Sequence, residues 1–174
     1  MSRVRVIETD LKFRRGHQMR PRTDFANLHH SGPIPPGMTA QDISADIIHR
    51  WHLARGRFWS GIGYHYVIMP DGGIERGRPR WAMGAHDEGE NACSLGICMA
   101  GDYRYRLPTP HALDSLVHLL ADLCDIYRWQ PSAETIRGHR DNEPPETPTE
   151  CPGEALYQAL PEIRERVTRV WGAV

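Results

Sequence analysis

The chain has 174 residues, of which 40% are hydrophobic and 25% charged, a composition typical of one globular domain that buries a core. Its formal net charge of −1 at pH 7 excludes the strong basic excess of a dedicated nucleic-acid-binding protein. The longest apolar runs are too short to span a bilayer, and the first residues carry no secretion signal. We therefore expect no nucleic-acid partner, no stable membrane association and synthesis in the cytoplasm.

The N-terminal segment is polar and rich in arginine. Residues 1–24 are predicted to form an arm in front of a single domain at residues 25–174. The arm is expected to contribute a short edge strand within residues 4–7. It could bind an anionic surface, but a solvated extension is the simpler interpretation.

The first strand and helix of the domain are predicted between residues 25 and 56. Residues 25–29 form a short apolar strand, which ends in a loop rich in glycine and proline. Thr39 is predicted to cap the helix that follows. Its apolar positions recur at helical spacing and are Ile43, Ile47, Trp51 and Ala54. His49 and His52 lie outside this stripe and are expected to face solvent.

The rest of the chain alternates between strands and helices. Residues 61–69 alternate as a strand, with Ile62, Tyr64, Tyr66 and Ile68 on one face. The remaining predicted elements are strands at 74–76, 94–100 and 135–138, a helix opened by Thr109 and Pro110, and a helical tail at 152–171 interrupted at Pro161. This order predicts an α/β domain with a mixed central β-sheet flanked by helices.

Three residues have the chemistry of a zinc site. His29 and His139 each stand at the end of a predicted strand, and Cys151 comes after a proline-rich loop that includes residues 144–148. Two imidazoles and a thiolate suit a tetrahedral zinc ion and leave the fourth position open, as in catalytic zinc sites. Spacing alone leaves open that these are ordinary core or surface residues. The other cysteines, Cys93, Cys98 and Cys124, are predicted to be buried thiols.

Five motifs carry a resemblance to a known family. They are LHHSG at 28–32, GRFWSGIGYHYVIMPDGGIERGRP at 56–79, GAHDEGEN at 84–91, SLGICMAGD at 94–102, and GHRD at 138–141 followed by CPG at 151–153. Together they resemble the peptidoglycan-recognition and zinc amidase family, which contains phage amidase lysins, bacterial N-acetylmuramoyl-L-alanine amidases and animal peptidoglycan-recognition proteins. The resemblance covers about residues 25–158 and implies the fold of that family.

The resemblance also implies roles for individual residues. His29, His139 and Cys151 match the zinc ligands of the family. Tyr64 and Thr149 stand at positions that assist the attacking water or stabilise the oxyanion. No motif places a general base. Five further residues are candidates for binding substrate, with a packing or structural role as the alternative for each: His30, Trp59, His65, Arg78 and His86.

The implied activity is zinc-dependent hydrolysis of the amide between N-acetylmuramic acid and L-alanine in peptidoglycan. Cys98 stands where the cytosolic recycling amidases of the family carry glutamate, so the chain resembles phage lysins and recognition-protein amidases more than recycling enzymes. We expect a monomer that is a phage or prophage lysin and acts on the cell wall once released, with a cytosolic enzyme as the alternative. A non-catalytic peptidoglycan-binding module on the same fold is the main alternative. A zinc hydrolase that cleaves another cell-wall amide is a third possibility.

Overall fold

The centre of the molecule is a mixed β-sheet. The computed structural model describes residues 4–142 and 148–173, and in this part of the chain six strands pair in the order β1-β4-β3-β5-β2-β6. The strands are β1 (Val6–Ile7), β2 (Phe25–His30), β3 (Tyr66–Ile68), β4 (Ile74–Arg76), β5 (Ser94–Met99) and β6 (Ile136–Gly138). Strands β3 and β4 pair antiparallel and the other pairs are parallel, so the predicted mixed sheet is confirmed.

Helices cover both faces of the sheet. They are α1 (Ala45–Ala54), α2 (Pro110–Tyr127), α3 (Glu154–Gln158) and α4 (Leu160–Trp171). Helices α2 and α4 bury one face, where Leu28 and Ile97 share a core with Leu120. Helix α1 covers the other face, where Cys98 packs in the same cluster as Ile48. Alternate residues of β5 therefore point into different cores, and the predicted α/β architecture is confirmed.

Helix α1 differs from its prediction in both start and orientation. Thr39 precedes a short 3₁₀ turn at Ala40–Asp42, and α1 itself is capped by Ser44, whose hydroxyl accepts the Ile47 N–H at 3.3 Å. The buried face carries Ile48, not Ile47, together with His49 and His52. The predictions that Thr39 caps this helix and that both histidines face solvent were wrong. The buried imidazoles are tolerated because each accepts a main-chain N–H, from Ile62 and from Gly63.

The predicted strand at residues 61–69 is regular only over β3. Tyr66 and Ile68 pack towards α2, whereas Ile62 and Tyr64 pack on the α1 side, so the single face predicted for these four residues was wrong. The alternation fails because another segment crosses the chain closely at Gly63. A Cβ atom added there would lie 1.9 Å from the carbonyl oxygen of Ala85.

The N-terminal arm is held against the domain. The predicted edge strand is present as β1, which pairs with β4. Arg20 is 6% exposed, and its guanidinium donates to the carbonyl oxygens of Ala82 at 3.0 Å and Arg80 at 2.7 Å. A freely solvated extension is therefore wrong for this part of the arm, whereas the domain boundary at residue 25 stays a prediction.

The remaining elements follow their predictions closely. Thr109 caps α2 and accepts the Ala112 N–H, and Cys93, Cys98 and Cys124 are buried. The helical tail divides at Ala159, two residues before Pro161. Most of the predicted proline-rich loop, at residues 143–147, lies outside the described residues. Among the helices described, none combines the length and apolarity needed to cross a membrane.

Candidate metal centre and cleft

Two neighbouring parallel strands bring His29 and His139 together. Leu28 of β2 is paired with Gly138, the last residue of β6, and the residue that follows each of them is a histidine. The two histidine ring centroids lie 4.4 Å apart. Cys151 completes the group, with its Sγ 3.5 Å from Nδ1 of His29. One donor atom from each of the three residues lies within 4.8 Å of the others. The cluster is therefore compact enough to hold a metal ion.

The surrounding motifs position these donors. Asp141 of the GHRD motif accepts the Gly138 N–H at 2.9 Å and closes the turn that carries His139. The Arg140 N–H donates to the carbonyl oxygen of Cys151 at 3.1 Å, which joins the two ligand-bearing segments. Gly153 of the CPG motif has φ +92°, and a Cβ there would lie 2.4 Å from the main chain of Tyr103. Glycine is thus required directly after the Cys151 turn.

The donor set suits zinc. Imidazole nitrogen and thiolate sulphur are ligands of zinc, whereas calcium and magnesium prefer oxygen donors. His29 is 1% exposed, and burial lowers its pKa well below the usual value, which keeps the ring neutral. A neutral imidazole is the form that binds metal. Because Nδ1 of His29 faces Cys151, this nitrogen is the one available to a metal.

His86 lies behind His29 and occupies its other nitrogen. Nδ1 of His86 is 3.0 Å from Nε2 of His29. The His86 ring lies directly on Gly96 of β5, where an added Cβ would come within 2.5 Å of the ring. Asn91, the last residue of the GAHDEGEN motif, accepts the main-chain N–H of His86 at 2.8 Å through its Oδ1. This motif therefore builds the wall that orients His29.

The cluster opens into a cleft of about 530 Å³. Its walls contain the three metal-binding candidates and five of the other predicted site residues, which are His30, Trp59, Tyr64, His86 and Thr149. The structure therefore brings together eight of the ten site residues predicted from the sequence.

Tyr64 and Thr149, which both carry a hydroxyl group, line the cleft beside the metal cluster. The Tyr64 ring centroid lies 5.0 Å from that of His29. Burial raises the pKa of Tyr64 well above 10, so the phenol keeps its proton and can donate a hydrogen bond. The Thr149 hydroxyl accepts the Cys151 N–H at 3.2 Å and can still donate its own proton.

The structure places three substrate-binding candidates in supporting positions. Nδ1 of His30, at the cleft wall, accepts the Tyr103 N–H at 3.1 Å. His65 is 0% exposed and lies behind the cleft, where its Nδ1 accepts the Gly96 N–H. The Arg78 guanidinium donates to two main-chain carbonyl oxygens and lines a neighbouring groove of about 440 Å³.

His52 is one of the cleft residues that sequence analysis missed. Its ring lies 4.8 Å from Trp59 and 5.6 Å from Tyr64, measured between centroids. Burial lowers its pKa to about 4, and because Nδ1 accepts the Gly63 N–H, the proton of the neutral ring sits on Nε2. The usable sequence signal was the alternative helical stripe formed by Ala45, Ile48 and His52, which includes a polar residue.

Comparisons with known proteins show the family to which the chain is similar. The sequence profile described as N-acetylmuramoyl-L-alanine amidase matches residues 19–154. The endolysin of Enterobacteria phage T3 is 32% identical over 139 residues, which cover 76% of this chain and 85% of the phage protein. The N-acetylmuramoyl-L-alanine amidase of Mus musculus is 34% identical over 153 residues, covering 84% of this chain and 28% of the mouse protein.

Solved structures share the whole fold. The N-acetylmuramoyl-L-alanine amidase LysC from Clostridium intestinale URNW superposes with a TM-score of 0.78 at 30% identity, covering 94% of this chain and 97% of that chain. A mutant of Drosophila PGRP-LB, solved in complex with tracheal cytotoxin, superposes with a TM-score of 0.71 at 26% identity, covering 89% of this chain and 92% of that chain.

Proposed function

Since this chain belongs to the N-acetylmuramoyl-L-alanine amidase family, we propose that it works with a zinc ion held by His29, His139 and Cys151. The activity is that of a phage-type endolysin, and the substrate is peptidoglycan. The bond cleaved is the amide between the lactyl group of N-acetylmuramic acid and the L-alanine of the stem peptide. The zinc proposal rests on the compact group of two imidazoles and one thiolate at the carboxyl ends of β2 and β6.

The roles proposed for zinc, Tyr64 and Thr149 follow from the chemistry of the groups around the cluster. The chemistry that zinc supplies at such a site is polarisation of a carbonyl and a lower pKa for a bound water. The Tyr64 phenol is proposed to donate to the carbonyl oxygen as negative charge develops on it. The Thr149 hydroxyl is proposed to donate to the same oxygen, without the positive charge that a lysine would bring.

The walls of the cleft are proposed to bind the muropeptide. His30, Trp59 and His86 line it, and we add His52, whose Nε2–H is a neutral donor beside Tyr64. Trp59 offers an aromatic face to sugar or peptide and is also covered by the Arg55 guanidinium at 4.8 Å. Trp59 also borders the groove that Arg78 lines, so a longer substrate could continue into that groove.

The proposal also covers where the enzyme acts and its oligomeric state. The relatives named endolysins support an enzyme that reaches the cell wall after release from the cell in which it is made. The cleft and metal cluster are built from residues of one chain, which supports activity as a monomer. Sedimentation of the active protein as a dimer, with activity lost on dilution, would contradict the monomer.

Product analysis tests the proposed activity. Purified peptidoglycan is incubated with the protein, and the new chain ends are identified by labelling of free amino groups and mass spectrometry. Free L-alanine amino termini with an intact glycan are expected, and Cys151→Ser should release none. Binding to peptidoglycan without products would show the non-catalytic module, and other amino termini would show a different wall hydrolase.

A further inference from the structure

A buried carboxylate faces the second metal-binding histidine. We propose that Asp87 is a positioning residue, which holds the His139 ring through Nε2 so that Nδ1 is presented to the metal. This inference rests on the proposed zinc function. Oδ1 of Asp87 lies 3.7 Å from Nε2 of His139, and the Asp87 side chain is only 1% exposed. At this separation the contact is electrostatic rather than a full hydrogen bond.

Two amides fix the orientation of this carboxylate. Oδ2 of Asp87 accepts from Nδ2 of Asn27 at 2.5 Å and from Nδ2 of Asn142 at 2.8 Å. Because both amides bind Oδ2, the carboxylate cannot rotate freely, and Oδ1 stays directed at His139. The Asp87 N–H donates to Oδ1 of Asn91 at 3.1 Å, which holds the backbone at the same point.

Asn27 shows that this arrangement is built into the core. It lies in the middle of β2, is 0% exposed, and its Oδ1 has no hydrogen-bond partner among the described residues. A buried amide with one unsatisfied end lowers stability, so a hydrophobic residue would serve the strand better. The hydrogen bond to Asp87 explains the asparagine, since a buried carboxylate is tolerated only when hydrogen-bond donors contact it.

The chemistry of metal-binding histidines explains the benefit. A carboxylate at the second ring nitrogen keeps the proton on that nitrogen, orients the ring and makes the other nitrogen a better donor to the metal. When Nδ1 of His29 binds the metal, the proton of the neutral ring is on Nε2, and it faces a neutral acceptor, Nδ1 of His86 at 3.0 Å. The two histidines are therefore held by different means, and only His139 is held by a negative charge.

Asparagine and alanine substitutions of Asp87 distinguish a positioning role from a purely structural role, because the two roles predict a different order of damage for the two variants. In Asp87→Asn, the side-chain oxygen should take the place of Oδ2, because Asn27 and Asn142 both donate there. The new NH₂ would then face His139 and favour the ring form with its proton on Nδ1, which cannot bind metal. Positioning therefore predicts that Asp87→Asn harms zinc binding at least as much as Asp87→Ala. A purely structural role predicts that the isosteric Asn variant is the milder one.

The measurement is zinc affinity by competition with a chromophoric chelator. Asp87→Ala is expected to weaken zinc binding about 10- to 100-fold, and Asp87→Asn by at least the same factor. The absorption band of the cobalt-substituted protein, which reports the thiolate and imidazole ligands, should change in both variants. Asp102→Asn is the matched control, because Asp102 pairs with Arg104 and faces His30 rather than a predicted ligand. It should leave both readouts unchanged.

Folding is checked by urea unfolding of the metal-free proteins. Should the Asp87 variants fail to fold, Asn142→Ala decides instead, since it removes one amide at a half-buried position and should weaken zinc binding in the same direction, by a smaller factor. Wild-type affinity in Asp87→Asn, or in Asn142→Ala if that variant decides, would overturn the inference while leaving the zinc amidase proposal intact. A wild-type protein that binds no zinc would overturn the proposed function itself.

Discussion

At the scale of single residues, a substitution of Tyr64 tests the proposed catalytic role separately from metal binding. Its phenol lies beside His29 but is not part of the metal cluster. Tyr64→Phe should therefore retain zinc and the fold while lowering the turnover of peptidoglycan about 10- to 1000-fold, the effect of removing one oxyanion donor. Zinc content and turnover are measured on the same preparation. Turnover close to that of the wild type would leave Tyr64 as a packing residue.

His65 gives the stability of the fold a predictable pH dependence. Burial lowers the pKa of His65 to about 3, whereas an unfolded histidine titrates near pH ~6.5. Between these values the unfolded state binds the extra proton, so the free energy of unfolding falls as pH decreases through this window. The slope is at most about 1.4 kcal/mol per pH unit for one proton. Above pH ~6.5 the contribution of His65 is fully present.

Removing the titrating group tests this link. In His65→Asn the side-chain oxygen can still accept the Gly96 N–H, so urea unfolding of the metal-free protein should depend less steeply on pH between 4 and 6 than in the wild type. His111→Asn is the matched control, because His111 is exposed at the start of α2. An unchanged slope in His65→Asn would show that His65 is not the group that titrates.

At the scale of elements, the orientation of α1 makes a sharp prediction. Ile48 is 2% exposed and packs in the core on the α1 side of the sheet, whereas Ile47 is only half-buried and lies outside that core. Ile48→Ala should lower the free energy of unfolding by about 2–5 kcal/mol. Ile47→Ala should have less than half of that effect, and urea unfolding of both variants measures the difference. Equal losses of unfolding free energy in the two variants would favour the helix orientation predicted from the sequence.

The sequence predicts an element well when its pattern depends on local chemistry. Helix α2 is such a case, because Thr109, Pro110 and a long apolar stripe all favour the same helix. The orientation of α1 was missed because its buried histidines are satisfied by main-chain groups of residues 62 and 63, which no local pattern reveals. The irregular segment before β3 was missed for the same reason, since the crossing by Ala85 is a tertiary contact.

At the scale of the whole molecule, parallel strand pairing assembles the site from distant parts of the chain. His29 and His139 are 110 positions apart in the sequence, yet they follow directly paired residues of β2 and β6. The motifs identified the cluster and most of the cleft by resemblance. The same motifs could not reveal the support from Asn27 and Asn142, because these amides meet Asp87 only in the folded chain.

Zinc binding should also stabilise the whole fold. The three candidate ligands come from separate segments, so they meet only in the folded protein, and a metal that binds only this state stabilises it. At free zinc 100-fold above its dissociation constant the gain is about 2.7 kcal/mol. A chelator should therefore lower the melting temperature of the wild type but not that of Cys151→Ser. Equal effects on both proteins would place the zinc elsewhere.

The central claim is that one zinc ion, held by His29, His139 and Cys151, makes this protein an N-acetylmuramoyl-L-alanine amidase. The most direct measurement is a titration of the metal-free protein with zinc, in which the release of free L-alanine amino termini from peptidoglycan is followed at each addition. We predict no release without zinc, a rise that ends at about one equivalent, and no activity in Cys151→Ser at any zinc concentration. Full activity in the metal-free protein, or in Cys151→Ser, would contradict the account.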